Sequence, residues 1–255
     1  MELSLKDQTV LVTGGSRGIG AATVRLLAAA GAKTALHYSR SRAAAEAIAR
    51  EIAAAGHPEP VLVQGDLALE DERRRVHQEA RLALSSIDHL VNNAGLFERN
   101  PMEGGDDALF LKRWRHTMNV NLEAAVHLTY LVLPDMRAKH FGRIVMVSSR
   151  AAFRGETECP DYAVSKAGMV NLARCIARTE GKHGITANSV CPGWVDTDMA
   201  QADLEKDGAS ILRDIPLGRV ASAEDVARAI LFYLSPLGSY ATGTALGLNG
   251  GSFLH

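Results

Sequence analysis

Short runs of β-branched and aliphatic residues alternate with longer Ala-rich stretches along the whole chain, and that alternation leaves few folds open. The runs cover 9–13, 34–37, 61–63, 88–91, 143–147, 186–190 and 244–248. Helical spacing of apolar residues marks 19–30, 42–55, 70–84, 107–139, 161–181 and 223–234. Strands that read apolar on both sides belong to a sheet covered on both faces. The expected fold class is α/β: one doubly wound domain over 1–255, with a seven-stranded parallel sheet and helices on both faces. Its 255 residues, 47% of them hydrophobic, suffice for one large core, and no linker or repeat divides them. Two irregular stretches, 97–112 with Gly104 and Gly105, and 196–216, each follow a strand's carboxyl end. Ligands bind there in doubly wound sheets, so segments of about 96–113 and 196–216 are the candidate substrate loops.

A formal net charge of −1 offers no electrostatic footing for nucleic acid or an anionic membrane surface. No apolar run approaches the roughly 20 residues of a membrane span, and Met1-Glu-Leu-Ser-Leu-Lys-Asp7 has no signal-peptide core. Cys159, Cys175 and Cys191 form neither a CxxC pair nor an even set, so inert reduced thiols in a cytoplasmic protein are expected. The nine histidines lack metal-ligand spacing, and no metal is expected.

The first strand runs into Thr13-Gly14-Gly15-Ser16-Arg17-Gly18-Ile19-Gly20, followed by an Ala- and Leu-rich helix. Glycines at 14, 18 and 20 permit a tight turn, close approach of a pyrophosphate and close helix–sheet packing. The helix start offers N–H groups and a positive dipole end to phosphates. Such a loop could be only a strand–helix turn, but its place after the first strand favours a dinucleotide site. Tyr162-Ala-Val-Ser-Lys166 puts a phenol and an ammonium on one helical face. A fixed cation nearby favours phenolate and suits proton transfer to or from an alcohol or carbonyl oxygen. Alone, the spacing also fits a half-exposed Tyr beside a solvated Lys. No GxSxG elbow surrounds Ser149, which excludes a nucleophilic serine of that kind.

Taken together, Thr13-Gly14-x-x-x-Gly18-x-Gly20, Asn92-Asn93-Ala94-Gly95, Asn121, Ser149, Tyr162, Lys166 and Pro192-Gly193 resemble the short-chain dehydrogenase/reductase family over nearly the whole chain. The resemblance implies a Rossmann-type domain, a nicotinamide cofactor and hydride transfer between a ketone and a secondary alcohol. It gives Tyr162 the proton transfer and Ser149 a hydrogen bond to the substrate oxygen. Lys166 would hold the nicotinamide ribose and lower the tyrosine pKa, and Asn121 would position a water beside Lys166. Asn119 competes with Asn121, and Ser148 reads as structural. Asp66 and Leu67 would meet the adenine, although Asp66 could instead cap the next helix. Asn93, Ala94 and Gly95 would lie beside the cofactor while Asn92 braces the sheet. Pro192, Gly193, the Val195 backbone and the Thr197 hydroxyl would hold the carboxamide. His37-Tyr-Ser-Arg-Ser-Arg42 contains no acid; Arg40 with Ser39 or Ser41, and Arg17 on the same side, can clamp a 2′-phosphate. NADP(H) is therefore expected over NAD(H).

Segments 135–145 and 190–199 are similar to the 3-oxoacyl-[acyl-carrier-protein] reductase branch, which implies an acyl-carrier-protein partner. Departures weigh against it: His140 and His183 stand where that branch presents arginines, and the 97–112 stretch is longer. Arg137, Lys139, Arg143 and Lys182 could compensate or be surface charges. A small-molecule ketone or alcohol (a sugar, polyol, cyclic ketone or specialised metabolite) is the rival substrate, and a non-catalytic NADP(H)-binding sensor the rival of another class. The family resemblance also implies a homotetramer or homodimer through helices near 121–139 and 161–181, the second carrying Ala163, Val170, Ala173 and Ala177. Asn249 replaces a common Asp and reads as structural.

Overall fold

In strands, successive side chains take opposite faces, and here both faces are apolar. The structure, a computed structural model, describes residues 3–103 and 105–254, so Gly104 lies outside the described residues. Strands β1 (Thr9–Val12), β2 (Lys33–Tyr38), β3 (Val61–Gln64), β4 (His89–Asn92), β5 (Gly142–Val147), β6 (Ile185–Pro192) and β7 (Ala245–Leu248) form one parallel sheet in the order β3-β2-β1-β4-β5-β6-β7. Val10, Val12, Leu36 and Val145 pack on one face with Val24 and Leu27 of helix α1 (Gly18–Ala29) and Ile48 of α2 (Arg42–Ala54). Leu11, Ala35, Leu90 and Ile144 pack on the other with Val76 of α3 (Glu70–Leu84). Each fully buried Val or Leu of these layers contributes about 1.5–3 kcal/mol. The order reverses between β1 and β4, and the crevice at their carboxyl ends is the switch point where such sheets bind ligands.

Three elements differ from the sequence reading. The 107–139 helix is interrupted: α4 (Asp107–Met118) gives way to a π-helical turn over Asn119–Glu123 before α5 (Ala124–Lys139). A short α6 (Ala151–Arg154) follows β5, ahead of α7 (Pro160–Glu180). The 196–216 stretch contains a helix, α8 (Gln201–Arg213). Its mid-helix Gly208 lowers helix propensity, and Ile211 is its single buried residue. Helix α9 (Ala223–Leu234) starts with a reciprocal Ser222/Asp225 capping box and completes the first layer.

Among the described residues no helix is long and apolar enough to cross a membrane, and no cluster of metal-ligating side chains occurs. All three thiols are free; Cys159 and Cys191 are buried, but Cys175 is exposed, because it faces outward on α7.

Candidate active site

The glycine loop crosses the switch point in a conformation only glycine adopts cheaply: φ is +64° at Gly14 and +52° at Gly18. A Cβ on Gly20 would stand 2.1 Å from the Gly14 carbonyl oxygen, so α1 could not start this close to the loop with any other residue. Asn93 Nδ2 donates to the carbonyls of Thr13 (2.8 Å) and Gly14 (3.0 Å), and Thr13 Oγ1 accepts from the amides of Asn93 and Ala94. Asn93 therefore holds the loop from below, while Ala94 and Gly95 form the crevice floor. Asn92 is buried and donates to Thr129 Oγ1 (3.2 Å).

A dinucleotide phosphate needs unclaimed donors at this loop. The Gly14 amide donates to His37 Nδ1 (3.1 Å) and the Gly15 amide to the His37 carbonyl (2.8 Å). The amides of Ser16, Arg17, Gly18 and Ile19 have no backbone acceptor among the described residues, and they stand at the positive end of α1. Buried Ser16 lies beside them, and Thr197 Cγ2 sits 3.1 Å from where a Gly18 Cβ would be. The chain thus fits a pyrophosphate.

Around the loop, Asp66 Oδ1 accepts from the Ala68 amide (3.0 Å) in a turn that precedes α3, whose N-cap is Leu69. Asp66 is therefore not the helix cap; Leu67 is buried next to it. Ser39 and Arg40 are exposed after β2, and Arg17 stands 4.0 Å from Asp198 with both side chains open to solvent. Pro192 is buried at the end of β6, Gly193 packs against Asn249, and Val195 lies beneath Thr197, whose hydroxyl donates to the Val195 carbonyl (3.3 Å). Asn249 ties the last turn, accepting from the Gly251 amide and donating to the Phe253 carbonyl.

The chemical groups converge where β5, α7 and the π-helical turn meet. Lys166 is buried, its Nζ donating to the Val147 carbonyl (2.9 Å) and lying 5.5 Å from the Tyr162 ring centre. A second N–H makes a weak contact with Met169 Sδ (3.7 Å), and the third remains for a ligand's hydroxyl. Ser149 Oγ accepts from the Ala151 amide (3.1 Å), and its hydrogen bond to Tyr162 draws the phenol pKa down. Burial outweighs it: the Tyr162 phenol is pushed up to about 12 and the Lys166 ammonium down to about 8. Sequence spacing led to the opposite expectation, a tyrosine lowered by its lysine; desolvation, which spacing does not reveal, dominates both groups. At neutral pH Tyr162 is therefore the neutral phenol.

Asn121 is fully buried in the π turn. Its Nδ2 donates to the Leu96 carbonyl (3.0 Å) and Ser165 Oγ (3.1 Å), and its Oδ1 accepts from the Leu96 amide (2.8 Å). It fastens the loop after β4 to α7, and only one lone pair of Oδ1 is left for a water. A Cβ on Gly95 would lie 3.3 Å from Lys166 Nζ and 3.4 Å from Asn121 Oδ1, so glycine lets these two groups approach the crevice. Ser148 Oγ donates to the Lys166 carbonyl (2.7 Å), and Asn119 gives its carbonyl to Arg73.

Several site residues carry no motif. Phe97 meets the Tyr162 ring edge-on at 5.3 Å and walls the site. Buried Asp161 accepts from the Tyr162 amide (2.9 Å) and from Asn100 Nδ2 (3.3 Å), pinning the candidate substrate loop to the start of α7. Arg99 donates to Asp203 Oδ1 (2.9 Å), joining that loop to α8. Only an assembled fold brings these pairs together.

Comparison with protein families matches residues 8–208 to the short chain dehydrogenase family. The 3-oxoacyl-[acyl-carrier-protein] reductase of Aquifex aeolicus (strain VF5) is 34% identical, over 99% of this chain and 100% of the relative. A putative NAD(P) dependent gluconate 5-dehydrogenase from Beutenbergia cavernae, with bound NADP at low occupancy, superposes with a TM-score of 0.91 at 34% identity, covering 99% of each chain. A blue fluorescent protein from a metagenomic library, in complex with NADPH, gives a TM-score of 0.88 at 35% identity over the whole of both chains. With the glycine loop, the Tyr162–Lys166 pair and the parallel sheet in place, the chain belongs to the short chain dehydrogenase family of oxidoreductases.

Proposed function

We propose that this protein uses NADP(H) to interconvert a freely diffusing ketone and its secondary alcohol, with Asn121, Ser149, Tyr162 and Lys166 as the working groups. The observation that carries the reading is the convergence of buried Ser149 and Lys166 with half-buried Tyr162 beside the glycine-lined crevice. The bound nicotinamide supplies or accepts the hydride. In reduction, Ser149 and Tyr162 hold the substrate oxygen, and Tyr162 Oη gives it a proton. Lys166 holds ribose hydroxyls and keeps positive charge near the phenol as it loses that proton. Asn121 keeps the loop after β4 and α7 in register around them. Arg40, Ser39 and Arg17 would meet the 2′-phosphate, and Asp66 with Leu67 the adenine.

A carrier-bound acyl substrate is the weaker reading because the compensating cations are engaged. Arg137 makes paired 2.7 Å bonds to Glu180, Lys139 bonds to Asp88 (2.5 Å) and Ser86 (2.6 Å), and Arg143 donates to the Gly142 and Gly184 carbonyls. Of the four, Lys182 alone makes no such contact among the described residues. Self-association is proposed through the outer faces of α5 and α7. Ala163, Val170 and Ala173, which the sequence reading offered for it, are buried within this chain; exposed Val126, Tyr130 and Val164 take their place.

The test is NADPH consumption against sugars, polyol-derived ketones, cyclic ketones and acyl thioesters, with Tyr162→Phe as control. Turnover of small ketones by the parent but not the variant supports the reading. Preference for an acyl-carrier-protein thioester overturns the free-substrate assignment, and no turnover with tight NADPH binding leaves a sensor.

A further inference from the structure

His37 is a buried polar side chain that the proposed chemistry does not use, and it joins two segments of the cleft. It lies in β2, 2% exposed. On one side its Nδ1 accepts from the Gly14 amide at 3.1 Å, and its own carbonyl accepts from the Gly15 amide at 2.8 Å. On the other side its Nε2 lies 3.0 Å from the Gly65 carbonyl, at the end of β3, immediately before Asp66. The contacts determine the tautomer: an N–H arriving at Nδ1 requires a bare nitrogen there, so Nε2 carries the proton and donates to Gly65. Burial favours this neutral ring and lowers its pKa to about 4; the Gly65 hydrogen bond and Asp66 oppose that shift, and Arg75 adds to it.

We propose that His37 is a positioning residue for the dinucleotide, holding the phosphate-binding loop and the Asp66 turn at a set separation. The inference rests on the reading of the cleft as an NADP(H) site. By claiming the amides of Gly14 and Gly15, His37 turns the loop so that the four following amides face the crevice. Through Gly65 it places the Asp66–Leu67 turn, on the adenine side, at a distance set by one imidazole width. A cofactor then meets both ends of its site already spaced, which removes an ordering cost from binding.

The experiment measures NADPH affinity by fluorescence titration, and KM and kcat, for the parent, His37→Leu and His37→Asn. Asn places Oδ1 where Nδ1 stands and can accept from Gly14. Binding of NADPH by the parent tests the cleft itself; without it the underlying reading fails, not this inference alone. Given that binding, His37→Leu should raise Kd and KM for NADPH about tenfold with kcat at saturation within about twofold, and His37→Asn, which keeps the Gly14 contact but cannot reach Gly65, should recover only part of the loss. Equal affinity in His37→Leu, or full recovery in His37→Asn, overturns the proposal. Should His37→Leu fail to fold, nitrogen NMR of the parent decides. A bare Nδ1 and protonated Nε2, unchanged from pH 5.5 to 8, supports the assignment, and a ring titrating near 6.5 refutes it.

Discussion

Replacing Lys166 with Met should make the protein more stable at neutral pH while destroying its activity. In the fold the ammonium pKa falls from 10.5 to about 8, chiefly by desolvation. That depression of about 2.5 units means that burying the charged form costs roughly 3 kcal/mol at pH 7. Met fills similar space without charge but leaves the Val147 carbonyl without its donor, a loss of about 1 kcal/mol. The net gain of roughly 2 kcal/mol corresponds to about 4–8 °C in melting temperature for a chain of this size. The pH dependence follows from proton binding. Between about pH 8 and 10.5 the unfolded lysine binds more protons than the folded one, so parent stability rises with pH. The Lys166→Met advantage should therefore be full at pH 7 and narrow by roughly 2 kcal/mol at pH 9.5. Urea or thermal melts of both proteins at the two pH values give the comparison, and ketone turnover should drop at least about 100-fold. A variant less stable than the parent at pH 7, or an advantage that does not change with pH, would refute the desolvation argument.

Arg40→Ala should remove most of any preference for NADPH over NADH, roughly tenfold or more in relative Kd; equal affinities in the parent would sink the 2′-phosphate clamp. Gly20→Ala should abolish NADPH binding, since its Cβ would be driven against the Gly14 carbonyl, and titration giving parent-like affinity would contradict the close-packing account. Rates of ketone reduction should decline as pH rises through about 8, where Lys166 loses its charge, while Tyr162 stays protonated up to about 12; a profile flat to pH 10 would show that the charge is not needed.

Much of the fold and of the site was legible because its signals are local. Apolar runs reveal buried strands, glycines at 14, 18 and 20 reveal a loop that side chains would obstruct, and a spacing of four puts Tyr162 and Lys166 on one face. The π turn at Asn119–Glu123 and α8 were hidden, the first because a single widened turn leaves helical periodicity nearly intact, the second because Gly208 lowers helix propensity and only Ile211 is buried.

By itself the chain's residue order determined the sheet, the switch-point cleft and which side chains are the candidates for the chemistry, since strand and helix periodicity, glycine freedom and family motifs are properties of neighbours in sequence. Only the folded state decided how those side chains behave. Tyr162 rises and Lys166 falls because segments far apart in sequence strip water from both. Arg137 and Lys139 are tied to Glu180 and Asp88 from distant elements, and Ala163 and Ala173 turn inward. His37 bridges Gly14 and Gly65, 23 and 28 residues away. Desolvation and pairing depend on what surrounds a group in three dimensions, and periodicity along a chain carries no record of that.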